Sequence, residues 1–138
     1  MKKLEWDDSY SVGVHDIDAE HKFLFHFIND LQETLLGKKG RETVENVLNG
    51  LFNHASSHFI HEEILLYKNG YPEYNAHKAE HDKLLSEFRG CYVAFMAGGA
   101  DSRLISAEII AVLTEWLQEH VLKADKAYAH FLKSKAVR

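Results

Sequence analysis

An all-α fold is predicted for this chain: an antiparallel up-down-up-down four-helix bundle with an extended N-terminal arm and a short C-terminal helix. Three observations predict it. Apolar residues recur in alternating steps of three and four along four long segments, the period of helices that bury one face. Glycine-rich breaks separate those segments, and short connections between long helices make neighbours antiparallel. Seven side chains of metal-binding type stand where core residues should be, spread over the four segments, so the buried faces converge on a common polar centre.

Residues 1–16 carry no helical period and include Trp6, Tyr10 and the turn-like Ser11-Val12-Gly13-Val14, which reads as an arm packed on the bundle. The first helix is expected over about 18–36, ending at Gly37-Lys38-Lys39-Gly40. The second runs over about 41–69, where Gly70 supplies a left-handed cap and Pro72 prevents simple continuation. A third spans about 73–97, closed by Gly98-Gly99-Ala100. Asp101 or Ser102 then caps a fourth over about 102–121, and a short helix follows over 126–134. The whole of 1–138 reads as one domain, a length that buries roughly two-thirds of the unfolded surface.

The stripes place the polar residues. The first runs Ile17, His21, Leu24, Ile28, Leu31, Leu35, and the second Val44, Leu48, Leu51, Ala55, His58, Glu62, Leu65. In the third segment Tyr74, His77, His81, Leu84, Phe88, Cys91 and Phe95 keep the rhythm; in the fourth Ile105, Ile109, Val112, Trp116 and His120 keep it approximately. His120 and Asp125 break the pattern. Five residues apart, they differ by about 140° around a regular helix, so the fourth helix must fray, break or bulge between Val121 and Ala124 if both face inward. Otherwise Asp125 would only cap the final helix.

Buried imidazoles and carboxylates are costly unless paired, hydrogen-bonded or bound to metal. No lysine or arginine lies on these stripes near the histidines, so salt bridging accounts poorly for Glu62. A metal site formed by His21, His58, Glu62, His77, His81, His120 and Asp125 is the reading that uses all seven. Five imidazoles and two carboxylates exceed the four ligands of a tetrahedral zinc, which implies two metals. If Glu62 and Asp125 bridge two octahedral ions that also share an oxide or hydroxide, one coordination position stays open, suited to a small diatomic ligand. Ligand type alone leaves iron, manganese, zinc and copper as candidates.

Composition narrows the setting. A net charge of −5 without a basic stripe argues against nucleic acid as partner. The single Cys91 excludes an internal disulfide and a thiolate-rich site. The longest apolar run, 109–113, falls far short of the ~20 residues that span a bilayer, and acidic residues occupy the place of a leader's apolar core. Cytoplasmic location without membrane insertion is expected.

Ser11-Val12-Gly13-Val14 with Ile17-Asp18-Ala19-Glu20-His21-Lys22, His58-Phe59-Ile60-His61-Glu62-Glu63, His77-Lys78-Ala79-Glu80-His81, and Trp116 ahead of His120 and Asp125 together resemble the hemerythrin family, specifically its single-domain bacterial members. The resemblance implies a non-haem di-iron centre, Fe2+ or Fe3+, with a bridging oxide or hydroxide. It places His77, His81 and His120 on one iron, His21 and His58 on the other, and Glu62 and Asp125 across both. It implies reversible O2 binding at the second iron, in a dry pocket lined by Leu24, Trp116, Leu117 and Val121. Storage, transport or delivery of O2 by a monomer that is not an enzyme follows, with a membrane oxidase or oxygenase as a conceivable recipient. The alternatives are an O2 or redox sensor and a di-iron enzyme acting on nitric oxide or peroxide. A ferritin-like enzyme is disfavoured because the chain contains no Glu-x-x-His, and zinc protease chemistry because Leu65 stands where a second histidine belongs. His15, His26, His61 and His130 fall off the stripes. His54, four before His58, is left outside the ligand set.

Overall fold

The computed structural model describes residues 3–37, 41–97 and 102–138. Four long helices, α1 (His15–Leu36), α2 (Arg41–Lys68), α3 (Tyr74–Met96) and α4 (Ser102–Glu119), form the bundle. A π-helical turn, His120–Asp125, joins α4 to the short α5 (Lys126–Ser134), and among the described residues there is no strand. α1 packs on α2 and α4, and α3 packs on the same two, which closes the four helices around one interior. The expected breaks at Lys38-Lys39-Gly40 and Gly98-Gly99-Ala100, and a cap at Asp101, lie outside the described residues.

α1 begins three residues earlier than the periodicity suggests. Val14 C=O already accepts from Asp18 N–H, while the Asp18 carboxylate reaches back to the arm, accepting from Val12 N–H (2.8 Å) and Ser11 Oγ (2.6 Å). Gly13, at φ 76°, makes the turn between them. At the C-terminal end of α2, Gly70 N–H (φ 69°) donates to Tyr67 C=O, and Tyr71 N–H to Leu66 C=O. That pair of bonds is a Schellman cap, which ends α2 where the sequence places its end.

The apolar interior is divided in two. A large core of Leu24, Ile28, Leu48, Leu51, Phe59, Leu84, Phe88, Ile110 and Leu117, among others, fills one end of the bundle. A smaller one of Val12, Val14, Ile17, Leu66, Tyr128 and Leu132 fills the other. Between them lies a polar layer, because on each helix the stripe passes from one core to the other through the candidate ligands: Ile17 to His21 to Leu24, and Phe59 to Glu62 to Leu66.

The fourth stripe is corrected by one position. Ile110, Leu113 and Leu117 face the core, Val112 is 45% exposed, Trp116 is half-buried, and the side chains of Ile105 and Ile109 lie outside what is described. Counting back from His120 assumed a regular helix, but His120 opens the π turn, whose altered phase brings both His120 and Val121 inside. In α2 it is likewise Leu66, fully buried, that extends the stripe beyond Glu62, with Leu65 only half-buried.

Candidate metal centre

All seven ligand candidates are buried, with Glu62, His21, His81 and Asp125 fully enclosed. α1 supplies His21, α2 His58 and Glu62, α3 His77 and His81, and the π turn His120 and Asp125. In a π helix hydrogen bonds run i to i+5, so residues five apart share a face. That resolves the spacing problem at His120 and Asp125: the chain bulges and stays helical. Asp125 makes no side-chain cap to α5 and turns into the bundle instead.

The two carboxylates divide their oxygens between two sets of histidines. Glu62 Oε1 lies 2.5 Å from His77 Nε2 and 3.1 Å from His81 Nε2, while its Oε2 lies 3.1 Å from His58 Nε2 and 3.5 Å from His21 Nε2. Asp125 repeats the division, with Oδ1 at 2.9 Å from His120 Nε2 and 3.1 Å from His77 Nε2, and Oδ2 at 3.2 Å from His21 Nε2. Two overlapping groups result, each with donor atoms within 4.8 Å of one another: Glu62, His77, His81, His120 and Asp125, and His21, His58 and Glu62.

These atoms are close without being well hydrogen-bonded. Both oxygens of Asp125 and both ring nitrogens of His21 are buried with no hydrogen-bond partner, despite nitrogen–oxygen separations of 2.9 to 3.2 Å at Asp125. His81 Nε2 and His120 Nε2 face each other at 3.1 Å. Lone pairs that aim at a shared point between the side chains, rather than at each other, are what a cation requires, and the imidazole and carboxylate donor set suits iron among other first-row metals.

Outside this layer, carboxylates orient the rings. His58 Nδ1 donates to Glu20 Oε1 (2.6 Å), His81 Nδ1 to Glu63 Oε2 (2.9 Å) and His120 Nδ1 to Glu80 Oε2 (3.0 Å). Each bond puts the proton on Nδ1, so that Nε2 presents its lone pair inward. Tyr128, fully buried, donates from its hydroxyl to Glu62 Oε2 at 3.1 Å. Sequence reasoning passed over Glu20, Glu63, Glu80 and Tyr128. A usable signal existed: each glutamate adjoins a ligand, which turns it about 100° from the inward face toward the neighbouring helix. Exposed His61 shares Glu20 (2.6 Å), and His54 Nε2 lies 3.2 Å from Glu20 C=O, outside both groups; His15, His26 and His130 are exposed.

On the large-core side an apolar cavity of about 20 Å3 adjoins the layer. Leu24, Trp116 and Leu117 line it with Phe59 and Leu84; Val121 is fully buried but is not among its walls. Its walls start one helical turn from His21, His58, His81 and His120.

The electrostatics carry a pH consequence. Burial, the largest influence, disfavours the charged form of His21, but Asp125 and Glu62 outweigh it and raise its pKa from 6.5 to about 10. The same balance raises His77 to about 9. Glu62 is held well below its ordinary value, since four histidines outweigh its burial. In the metal-free protein these raised imidazoles contribute stability in full below pH 6.5, and that contribution is lost as pH rises through about 9 to 10. A metal must displace the same protons. Metal uptake by the chelator-stripped protein should therefore release protons, with apparent affinity climbing from pH 6.5 to about 9. Calorimetry in two buffers of different ionisation enthalpy measures this, and pH-independent uptake without proton release would contradict it.

Comparison with known proteins agrees with this geometry. A bacteriohemerythrin of Methylococcus capsulatus is 31% identical over 97% of this chain and its own full length. A myohemerythrin of Theromyzon tessulatum is 27% identical over 90% of this chain and 89% of its own. The crystal structure of a wild-type hemerythrin superposes with a TM-score of 0.82 at 28% identity, covering 93% of this chain and 96% of the other. The family model described as the hemerythrin HHE cation binding domain matches residues 12–132, which takes in the four long helices and all seven buried donors, and the chain therefore belongs to the hemerythrin family.

Proposed function

We propose that the protein binds O2 reversibly at a pair of iron ions and serves in its storage or delivery. The observation that carries this reading is the asymmetry of the two donor groups beside an apolar cavity. Three histidines converge on one side of the shared carboxylates and two on the other, which leaves the His21 and His58 side one donor short. In this reading His77, His81 and His120 would hold one iron and His21 and His58 the other, Glu62 and Asp125 would be shared by the two, and an oxide or hydroxide would complete the pair. When bound, a ferrous pair supplies an open coordination position and one electron from each ion.

The chain's own residues make the process reversible. Leu24, Phe59 and Leu117, all buried, exclude water and the protons it carries. A small cavity of about 20 Å3 walled by these and other apolar side chains stands on that side of the layer. Glu20, Glu63 and Glu80 hold the Nδ1 protons of His58, His81 and His120 and raise the donor strength of each Nε2. Tyr128 holds its proton against Glu62 Oε2 and fixes that carboxylate's orientation.

An anaerobically reduced, iron-loaded sample tests the reading directly. About two irons per chain and a visible band that appears with air and vanishes on deoxygenation are expected, one iron for each donor group. Irreversible oxidation without a reversible band would reject O2 carriage and favour redox sensing or turnover of nitric oxide or peroxide.

A further inference from the structure

Three carboxylates orient ligand rings, and among the described residues only Glu20 is hydrogen-bonded through both of its oxygens. Its Oε1 accepts from His58 Nδ1 (2.6 Å) and its Oε2 from His61 Nδ1 (2.6 Å). The second oxygen of Glu63 has only the Lys78 ammonium, at 3.9 Å, and that ammonium is engaged with Asp82 at 2.9 Å. The Glu80 side chain is 55% exposed. α2 supplies the grip on Glu20 because His54, His58 and His61, at i, i+4 and i+7, share one face of the helix. That face meets α1 at Glu20, whose backbone C=O accepts from His54 Nε2 at 3.2 Å.

This double grip stands on the side of the metal layer that has least else to hold it. His21 and His58 are the imidazoles of that side, and both ring nitrogens of His21 lack a hydrogen-bond partner, so Glu20 is the outer group that fixes a ring there. A glutamate carboxylate turns easily about its last torsion, and a bond through one oxygen leaves that torsion loose in a side chain 25% exposed to water. A second bond through the other oxygen stops it. We propose that His61 is a positioning residue, which locks the Glu20 carboxylate and thereby keeps the His58 ring turned with Nε2 toward Glu62 Oε2. His61 is exposed, and an exposed pair of this kind adds little to the stability of the fold, so its effect falls on orientation. The consequence for metal binding rests on the two-metal reading above; the grip on His58 does not.

Two replacements in the intact chain separate positioning from a structural role. Asparagine carries its amide nitrogen at the same place along the side chain as Nδ1 and keeps the donor, whereas leucine has the higher helix propensity and no donor. A merely structural role favours His61→Leu over His61→Asn, and the grip on Glu20 favours the reverse. In the metal-free, 15N-histidine-labelled chain, exchange of the His58 Nδ1 proton with water should quicken about tenfold or more in His61→Leu, as loosening of a bond to a charged group does, and stay near the unaltered rate in His61→Asn. In a cobalt(II) titration against a competing chelator, one binding step is expected for each donor group. His61→Leu should weaken one step about tenfold, the lower end for loss of a ligand's outer partner, and leave the other within about twofold, with His61→Asn restoring the first. Equal exchange rates in the three chains, both cobalt steps weakened alike, or leucine outperforming asparagine would each overturn the proposal. If the unaltered chain takes up fewer than two cobalt ions, the two-metal reading fails instead, and the exchange rates, which need no metal, still decide whether His61 holds His58 in place.

Discussion

Replacing Glu62 by glutamine is expected to reduce bound iron from about two per chain to fewer than one and to destabilise the metal-free protein by about 3–5 kcal/mol near neutral pH. Glu62 alone belongs to both donor groups, and its two oxygens face four imidazoles in a fully buried position. Glutamine preserves the volume, so cavity formation does not enter. What is lost is the negative charge that compensates raised imidazoles such as His21 and His77, together with one acceptor oxygen. An NH2 group then points at histidines that need an anion or a metal. Because that penalty depends on protonated rings, it should shrink as pH rises through about 9 to 10, where His77 and His21 lose their protons. Urea unfolding at two pH values, with metal content determined on the same preparations, measures both effects. A variant that keeps two irons and its stability would remove Glu62 from the centre.

The second large effect should come from packing. Phe59→Ala is expected to cost about 3–5 kcal/mol, the usual range for emptying a buried phenylalanine site. Phe59 is 2% exposed, stacks on the His81 ring at 4.0 Å and 8°, and meets Trp116 edge-on at 5.5 Å. It also walls the small cavity, so the variant joins the space it vacates to that cavity and frees one face of a ligand ring. An enlarged space beside polar donors admits water, which an apolar void of the original size resists. Oxidation of the reduced, iron-loaded protein in air should therefore accelerate by more than the stability loss alone would produce. Phe88→Ala supplies the control: it empties another wall of the same cavity, but a full turn further from the ligands. Equal oxidation rates in the two variants would show that Phe59 acts through stability only.

Much of this site was legible in the chain because each helix buries a stripe, and a histidine or carboxylate in step with leucines is carried inward wherever the stripe goes. His21, His58, Glu62, His77 and His81 follow that rule, and all are buried. The rule lost precision where the backbone departs from 3.6 residues per turn. At His120–Asp125 it required some irregularity without choosing among fraying, a break and a bulge, and it misassigned the α4 stripe by one position. Glu20, Glu63 and Glu80 escaped it because they are not on their helices' inward faces. Each serves a histidine on another element, and such a pairing depends on how helices lie side by side.

Local periodicity and turn chemistry by themselves determined that four helices form, that Gly70 ends the second of them, and that six polar side chains, all of the set but Asp125, face inward, since each depends on interactions within a few residues. Tertiary structure decided that the carboxylate oxygens of Glu62 and Asp125 split between two histidine sets, that a π turn keeps Asp125 in register, and that an apolar cavity stands beside them. Those features are distances between helices, and helix separation is set by the packing of all the side chains between them, which no single segment encodes.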